Sequence, residues 1–266
     1  MFVDSHCHLS TPELAAQIPQ LRAAMALAQV DRALCICTTL EEFAQVHGLA
    51  LAHDNFWATV GVHPDNEGVQ EPTLADLCER AALPRVVAIG ETGLDYYRLN
   101  GRSVADMAWQ RLRFACHIHA ALAAQLPLVV HTRQASDDTV ALLQAEGQGR
   151  VSGVFHCFTE TLSVARAALD LGFYISFSGI LTFRSADELR EVARFVPLER
   201  CLIETDSPYL APMPYRGKTN QPAYVPHVAA RLAEIKSLTV AEVAQATTVN
   251  FHHLFSRVNA PLALGS

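Results

Sequence analysis

Lysine is nearly absent from this chain. Only Lys218 and Lys236 occur among 266 residues, and the formal net charge is −7. No Lys/Arg-rich tract is present. That composition excludes a protein that grips a long stretch of nucleic-acid backbone, which needs many cationic contacts. A nucleic acid would have to be engaged at a few phosphates, with metal charge assisting. Long apolar runs are missing as well. The stretch 120–130 is broken by Gln125 and Pro127, far short of the roughly 18 uninterrupted apolar residues of a membrane span. Asp4 and His6 stand where a signal peptide would need an apolar run, so no export signal is expected. The seven cysteines are an odd number. They lie in or beside expected strands and helices, a pattern of reduced thiols in a cytoplasmic protein. Cys35-x-Cys37 has the spacing of a metal pair, but Ala33-Leu34-Cys35-Ile36-Cys37 reads as a buried strand, and free cysteine favours burial. No linker or low-complexity segment interrupts the chain, and nothing marks an obligate protein partner. A single domain over 1–258 is expected, with a C-terminal tail at 259–266.

Half of the residues are apolar, enough for a sizeable core. Short β-branched or aromatic runs fall at 2–4, 33–36, 57–62, 86–89, 128–130, 151–155, 173–177 and 201–203. They show little polar alternation, as expected of parallel strands covered on both faces. Helical stretches lie between them, at 104–126, 162–171 and 186–195 among others. The last, 240–255, follows Thr239 with Glu242 three residues on, the pattern of a capping box. Eight strands alternating with helices suit an α/β fold of the (β/α)8 TIM-barrel type. A doubly wound sheet is the alternative, but it would not set eight strand ends around one mouth.

The polar residues that follow the strands favour the barrel and carry the chemistry. His6 and His8 end the first run, and in a strand residues i and i+2 share a face. His63 follows the third run, Glu91 the fourth, His131 the fifth, His156 the sixth and Asp206 the eighth. Barrel active sites are built at these C-terminal strand ends. Buried imidazoles and carboxylates are costly unless paired or ligated, so one shared metal site explains them better than separate core histidines. By contrast His47, His53, His117, His119, His252 and His253 lie on helical or loop segments and read as packing or surface residues. The expected ligands are His6, His8, Glu91, His131, His156 and Asp206. Six exceed one tetrahedral ion and fit two divalent ions about 4 Å apart. Glu91 is the natural bridge, with His6, His8 and Asp206 on one ion and His131 and His156 on the other. Both lysines lie past the eighth strand, so a carbamylated-lysine bridge is unavailable. The donor set suits Zn, Mn, Fe or Co, and a water-filled variant suits Mg.

Five blocks then resemble one known family: Val3-Asp4-Ser5-His6-Cys7-His8-Leu9, Gly61-Val62-His63-Pro64, Gly90-Glu91-Thr92-Gly93-Leu94-Asp95-Tyr96-Tyr97, Val130-His131-Thr132-Arg133-Gln134-Ala135 and Glu204-Thr205-Asp206-Ser207-Pro208-Tyr209-Leu210. His156-Cys157-Phe158 and Arg216-Gly217-Lys218-Thr219-Asn220-Gln221-Pro222 add to them. Over almost the whole chain the sequence resembles TatD-type metal-dependent deoxyribonucleases, within the amidohydrolase-like barrels. The resemblance implies a hydrolase of DNA phosphodiesters, often a 3′-5′ exonuclease on single-stranded ends, with a setting in DNA repair or DNA turnover. It implies metal roles for the same six residues and substrate contacts at His63, Arg133, Arg216, Lys218 and Asn220. Ser10 departs from the Asp that relatives commonly carry after the first histidine pair, a change that touches loop geometry only.

The expected mechanism is hydrolysis by a two-metal-activated water. Glu91 and Asp206 are the expected catalytic carboxylates, Asp206 acting as pure ligand or also as base. Glu204, two residues before Asp206, is either a supporting residue behind the ligands or an interior salt-bridge partner. His63 can donate to a phosphate, and the Arg133 guanidinium can fork onto one or pair with Asp95. Arg216 and Lys218 flank Gly217 in a late loop, where barrels often hold phosphate. Tyr96 and Tyr97 can stack on a base or pack within their loop. The alternative substrate is a small-molecule phosphoester, amide or lactone, since fold does not set substrate. A non-catalytic scaffold would be expected to have lost at least one ligand.

Overall fold

The eight apolar runs form eight parallel strands: β1 Phe2–Cys7, β2 Val30–Cys35, β3 Phe56–Val60, β4 Val86–Asp95, β5 Leu128–Arg133, β6 Gly153–Phe155, β7 Tyr174–Phe177 and β8 Cys201–Ile203. Each pairs with the next in chain order, in a computed structural model that describes residues 1–259. The ring closes just beyond the ladders. Asp206 N–H donates to His6 O at 2.9 Å, and His8 N–H donates to Ser207 O at 2.8 Å. Side chains reinforce this seam: the Thr205 N–H and hydroxyl both donate to the Asp4 carboxyl, at 2.9 and 2.5 Å. Asp4 is wholly buried, and burial pushes its carboxyl up to about 8. The molecule is a (β/α)8 barrel.

One buried apolar residue from every strand fills the barrel interior: Val3, Leu34, Trp57, Val87, Val129, Val154, Tyr174 and Leu202. Phe251, Leu254, Phe255 and Val258 belong to the same cluster. The first two are on the helix Val240–Leu254, which starts with the expected capping box: Thr239 Oγ1 accepts Glu242 N–H at 3.2 Å, and Glu242 Oε2 accepts Thr239 N–H at 2.8 Å. Asn250 Nδ2 donates to Leu198 O and Cys201 O, both at 2.8 Å, so this helix covers the N-terminal end of the strands. Each such large side chain contributes about 1.5–3 kcal/mol by its burial. With one end plugged, only the C-terminal end is open for chemistry.

Two differences from the periodicity bear on the site. β4 runs on to Asp95, past the apolar run, because Thr92, Gly93, Leu94 and Asp95 pair with Val130, His131, Thr132 and Arg133 of β5. Glu91 therefore lies within a strand. Gly93 makes this approach possible: its φ is +137°, and a Cβ there would lie 1.9 Å from His131 O. Asn259 ends the 3₁₀ turn Ser256–Asn259, its Oδ1 2.7 Å from His252 Nδ1, and the rest of the expected tail, 260–266, lies outside the described residues. All seven cysteines are free. Cys35 and Cys37 are buried in or beside β2, as the strand reading requires. Among the described residues no helix is long and apolar enough to cross a membrane.

Candidate metal centre

Glu91 stands at the centre of the open end, and its two oxygens face different partners. Oε1 lies 2.8 Å from His156 Nε2, 3.3 Å from His131 Nδ1 and 3.3 Å from His63 Nε2. Oε2 lies 3.3 Å from His6 Nε2 and 3.8 Å from His8 Nε2. Asp206 Oδ1 joins the second group, 3.2 Å from His8 Nε2 and 3.6 Å from His6 Nε2. The His6 and His8 Nε2 atoms are 3.2 Å apart, and the His6 and His156 rings stack at 3.8 Å. All six residues expected as ligands thus converge on one place, and three overlapping groups have ligand atoms within 4.8 Å of one another: His6, His156 and Asp206; His6, His8 and Glu91; His63, Glu91 and His131.

These residues fit divalent metal on their own chemistry. His6 Nδ1, Glu91 Oε2 and His156 Nε2 are buried without a hydrogen-bond partner. Such orphans are costly in a folded interior. Of these, His156 Nε2 and Glu91 Oε2 lie on the shared side, with His6 Nε2 3.3 Å from that oxygen, and a cation placed there would satisfy them together. The electrostatics agree. Burial pushes the Glu91 carboxyl up, but His156, His63, His6 and the hydrogen bond from His131 hold it well below the usual carboxylate range. Burial pushes Asp206 up too, and His8 and His6 outweigh it. Burial lowers His156, yet Glu91 and Glu204 raise it well above an ordinary imidazole. In each case the site is arranged to hold positive charge against two carboxylates.

A second layer orients the ligands. Asp95 Oδ2 lies 3.0 Å from His131 Nε2, which directs Nδ1 at Glu91. Asp95 is itself held, its N–H donating to Gln110 Oε1 and its Oδ1 accepting Tyr97 N–H. Glu204 Oε1 lies 3.3 Å from His156 Nδ1 and accepts Cys157 N–H at 2.8 Å. Glu204 therefore stands behind a candidate ligand histidine. Cys157 and Asp206, the residues at the ends of β6 and β8 that shape this region, both have left-handed backbones, at φ +41° and +55°.

His63 behaves differently from the other imidazoles. Its Nδ1 accepts Asp65 N–H at 3.0 Å, so in the neutral ring the proton is on Nε2. That nitrogen faces Glu91 Oε1 as a donor. Burial lowers the His63 pKa and favours this neutral form.

The residues enclose a cavity of about 600 Å³ lined by His8, His63, Glu91, Asp95, His131, His156 and Asp206 at its floor. Arg98, Arg133, Tyr209, Leu210 and Ile180 contribute to its walls. Arg133 is exposed at the cavity, its guanidinium 3.6 Å from the centre of the Tyr97 ring. Asp95 is bound to His131, not to Arg133. Tyr96 is buried, its hydroxyl donating to Asp138 at 2.7 Å, and packs within its loop.

Three of the residues expected to contact substrate lie away from the cavity. Asn220 is wholly buried, and its amide donates to Thr205 O at 2.8 Å and Tyr209 O at 2.6 Å, so it braces the loop after β8. Arg216 and Lys218 do not line the cavity. The first lies over Phe183 at 3.9 Å and the second near Tyr215 at 5.6 Å, because the loop folds outward onto aromatic rings. Asp95, Arg98 and Tyr209 were missed as site residues. Asp95 and Tyr209 sit in the sequence blocks already singled out, but nothing in their spacing says where they point.

Comparison with known proteins agrees with this geometry. Residues 3–256 match the family described as TatD related DNase. The uncharacterized metal-dependent hydrolase YcfH of Escherichia coli is 47% identical over 257 residues, covering 95% of each chain. The 3′-5′ ssDNA/RNA exonuclease TatD of Escherichia fergusonii is 36% identical over 234 residues, covering 86% of this chain and 88% of that one. The crystal structure of YJJV, a TatD homolog from Escherichia coli, superposes with a TM-score of 0.88 at 29% identity over 98% of both chains. With its histidines and carboxylates gathered as described, the chain belongs to the TatD-related DNase family of metal-dependent hydrolases.

Proposed function

We propose that this protein hydrolyses phosphodiester bonds at the ends of single-stranded nucleic acid, releasing nucleotides by 3′-5′ exonucleolytic cleavage. The observation that carries the reading is the divided Glu91 carboxylate, with Oε2 toward His6 and His8, which Asp206 also meets, and Oε1 toward His63, His131 and His156. Such a carboxylate suits two divalent ions, of which Mg, Mn and Zn all fit the donor set. When bound, the ions supply Lewis acidity toward a phosphate oxygen and make a water acidic enough to attack it.

The chain's own groups do the rest. Asp206 faces the cavity with a carboxylate held ionised by His8 and His6, and serves as ligand and as proton acceptor. His63 Nε2–H faces Glu91 Oε1 in the floor, and with that oxygen engaged by an ion it would be free to donate to a phosphate or leaving oxygen. Arg133, spread on Tyr97, presents its guanidinium edge to phosphate, and Arg98 lines the same cavity. Two arginines at one mouth suit a strand end better than a long duplex track. The name of the Escherichia fergusonii relative supports the same substrate. Cytoplasmic action on oligonucleotide ends accords with the free thiols.

The test is release of mononucleotides from an end-labelled single-stranded DNA oligonucleotide, with Mg²⁺ or Mn²⁺ and with chelator. Metal-dependent shortening from the 3′ end is expected. No shortening by protein that contains metal would move the assignment to a small-molecule ester or amide.

A further inference from the structure

Each strand pairs with the next in chain order, so the loops ring the mouth in chain order too. The charge around that ring is uneven. Arg98 comes from the loop after β4, and Arg133 is the last residue of β5. Across the mouth, the loops after β7 and β8 offer Ile180, Tyr209 and Leu210, with only the Asp206 charge at the floor. Phosphate is therefore favoured on one side and a planar apolar group on the other.

Tyr209 is unusual for so large a ring at a cavity mouth. It is 57% exposed, yet its ring centre is 6.1 Å from that of His8. Its backbone is held on every side. Tyr209 N–H donates to Asp206 O at 3.0 Å, and Tyr209 O accepts from the buried Asn220 amide at 2.6 Å. Leu210 follows in a left-handed conformation, φ +57°. Its carbonyl rests so closely on Gly179 that a Cβ there would be 2.0 Å away. An exposed aromatic ring on an immobilised backbone loses little entropy when something stacks on it. No intramolecular aromatic partner other than the edge of His8 meets it among the described residues.

We propose that Tyr209, flanked by Leu210 and Ile180, is the subsite for the terminal nucleobase of the substrate, placed opposite the phosphate-binding arginines. The proposal rests on the nuclease reading and deepens it. A ring face accepts any base, since every base has a π-face, so the subsite confers affinity for a nucleotide over a bare sugar phosphate without base preference. It also sets a polarity: base on the β7–β8 side, remaining strand over Arg98 and Arg133.

Equilibrium titration of metal-replete protein with thymidine 5′-monophosphate and with 2-deoxyribose 5-phosphate tests this without turnover. The wild type should bind the nucleotide about tenfold more tightly or better. Tyr209→Ala should abolish most of that preference while leaving the sugar phosphate unchanged, and Tyr209→Phe should keep it. No preference in the wild type, or a preference that survives Tyr209→Ala, overturns the subsite. An equal loss of both ligands in Tyr209→Ala also overturns it, since the ring would then only prop the loop. Shortening of an oligonucleotide with no Tyr209-dependent preference sinks the subsite and spares the nuclease reading. The reverse pattern sinks the nuclease reading and spares the subsite.

Discussion

Glu204 Oε1 stands 3.3 Å from His156 Nδ1, and His156 Nε2 stands 2.8 Å from Glu91 Oε1. A buried carboxylate thus holds the far side of an imidazole whose near side faces Glu91, the proposed bridging carboxylate. Partners of this kind set the tautomer and direction of a ligand histidine. Glu204→Ala should weaken metal binding by about ten- to a hundredfold with the fold retained. Glu204→Gln, which still accepts Cys157 N–H, should lose less. Metal competition against a chromophoric chelator, with circular dichroism alongside, checks both. Unchanged metal affinity in Glu204→Ala would reduce Glu204 to an interior hydrogen-bond partner.

Arg133 touches no carboxylate within salt-bridge distance among the described residues, and it lies over Tyr97 at the cavity wall. Its guanidinium is free for an anion. Arg133→Ala should raise KM for oligonucleotide ends by about tenfold or more, the worth of a charged hydrogen bond, with metal content unchanged. Loss of metal in that variant would mean that the arginine orders the ligands instead.

His117 gives the stability a pH dependence. Its Nδ1 donates to Arg113 O at 2.8 Å and its Nε2 accepts Val62 N–H at 3.0 Å, so the folded chain needs the neutral ring. Burial lowers its pKa from 6.5 to about 4. Below pH 6.5 the unfolded chain takes up a proton that the folded chain refuses down to about pH 4. Stability from this group is complete above pH 6.5 and falls as pH falls through that window, by about 3 kcal/mol in all. Urea unfolding at pH 7 and pH 5 should show His117→Gln, which cannot titrate, losing about 2 kcal/mol less than the wild type over that interval. Equal losses would contradict the buried neutral state.

Much of this was legible in the chain because parallel strands buried on both faces must be apolar, and the runs at 86–89, 128–130 and 201–203 stand out. The end of β4 did not show, since Thr92 to Asp95 pair by backbone while only Leu94 among them is a large apolar residue. The residues that converge at the mouth were legible as polar residues just past apolar runs. The tautomer of His63 was not, because it is set by the backbone N–H of Asp65. Motif resemblance placed Asn220, Arg216 and Lys218 at the substrate, but the loop turns them inward or onto Phe183 and Tyr215. Spacing along a loop carries no direction. Asp4 and Thr205, 201 residues apart, join the first and last strands by a contact that no local pattern announces.

The bridging role of Glu91 is the centre of the account, and metal content measures it most directly. Elemental analysis of the purified wild type, saturated with Zn²⁺ or Mn²⁺ and freed of excess, should give two ions per chain. Glu91→Ala, folded by circular dichroism, should hold less than one and release no nucleotide from an oligonucleotide end. A wild type that saturates at one ion, or a Glu91→Ala variant that keeps two, would contradict the bridge.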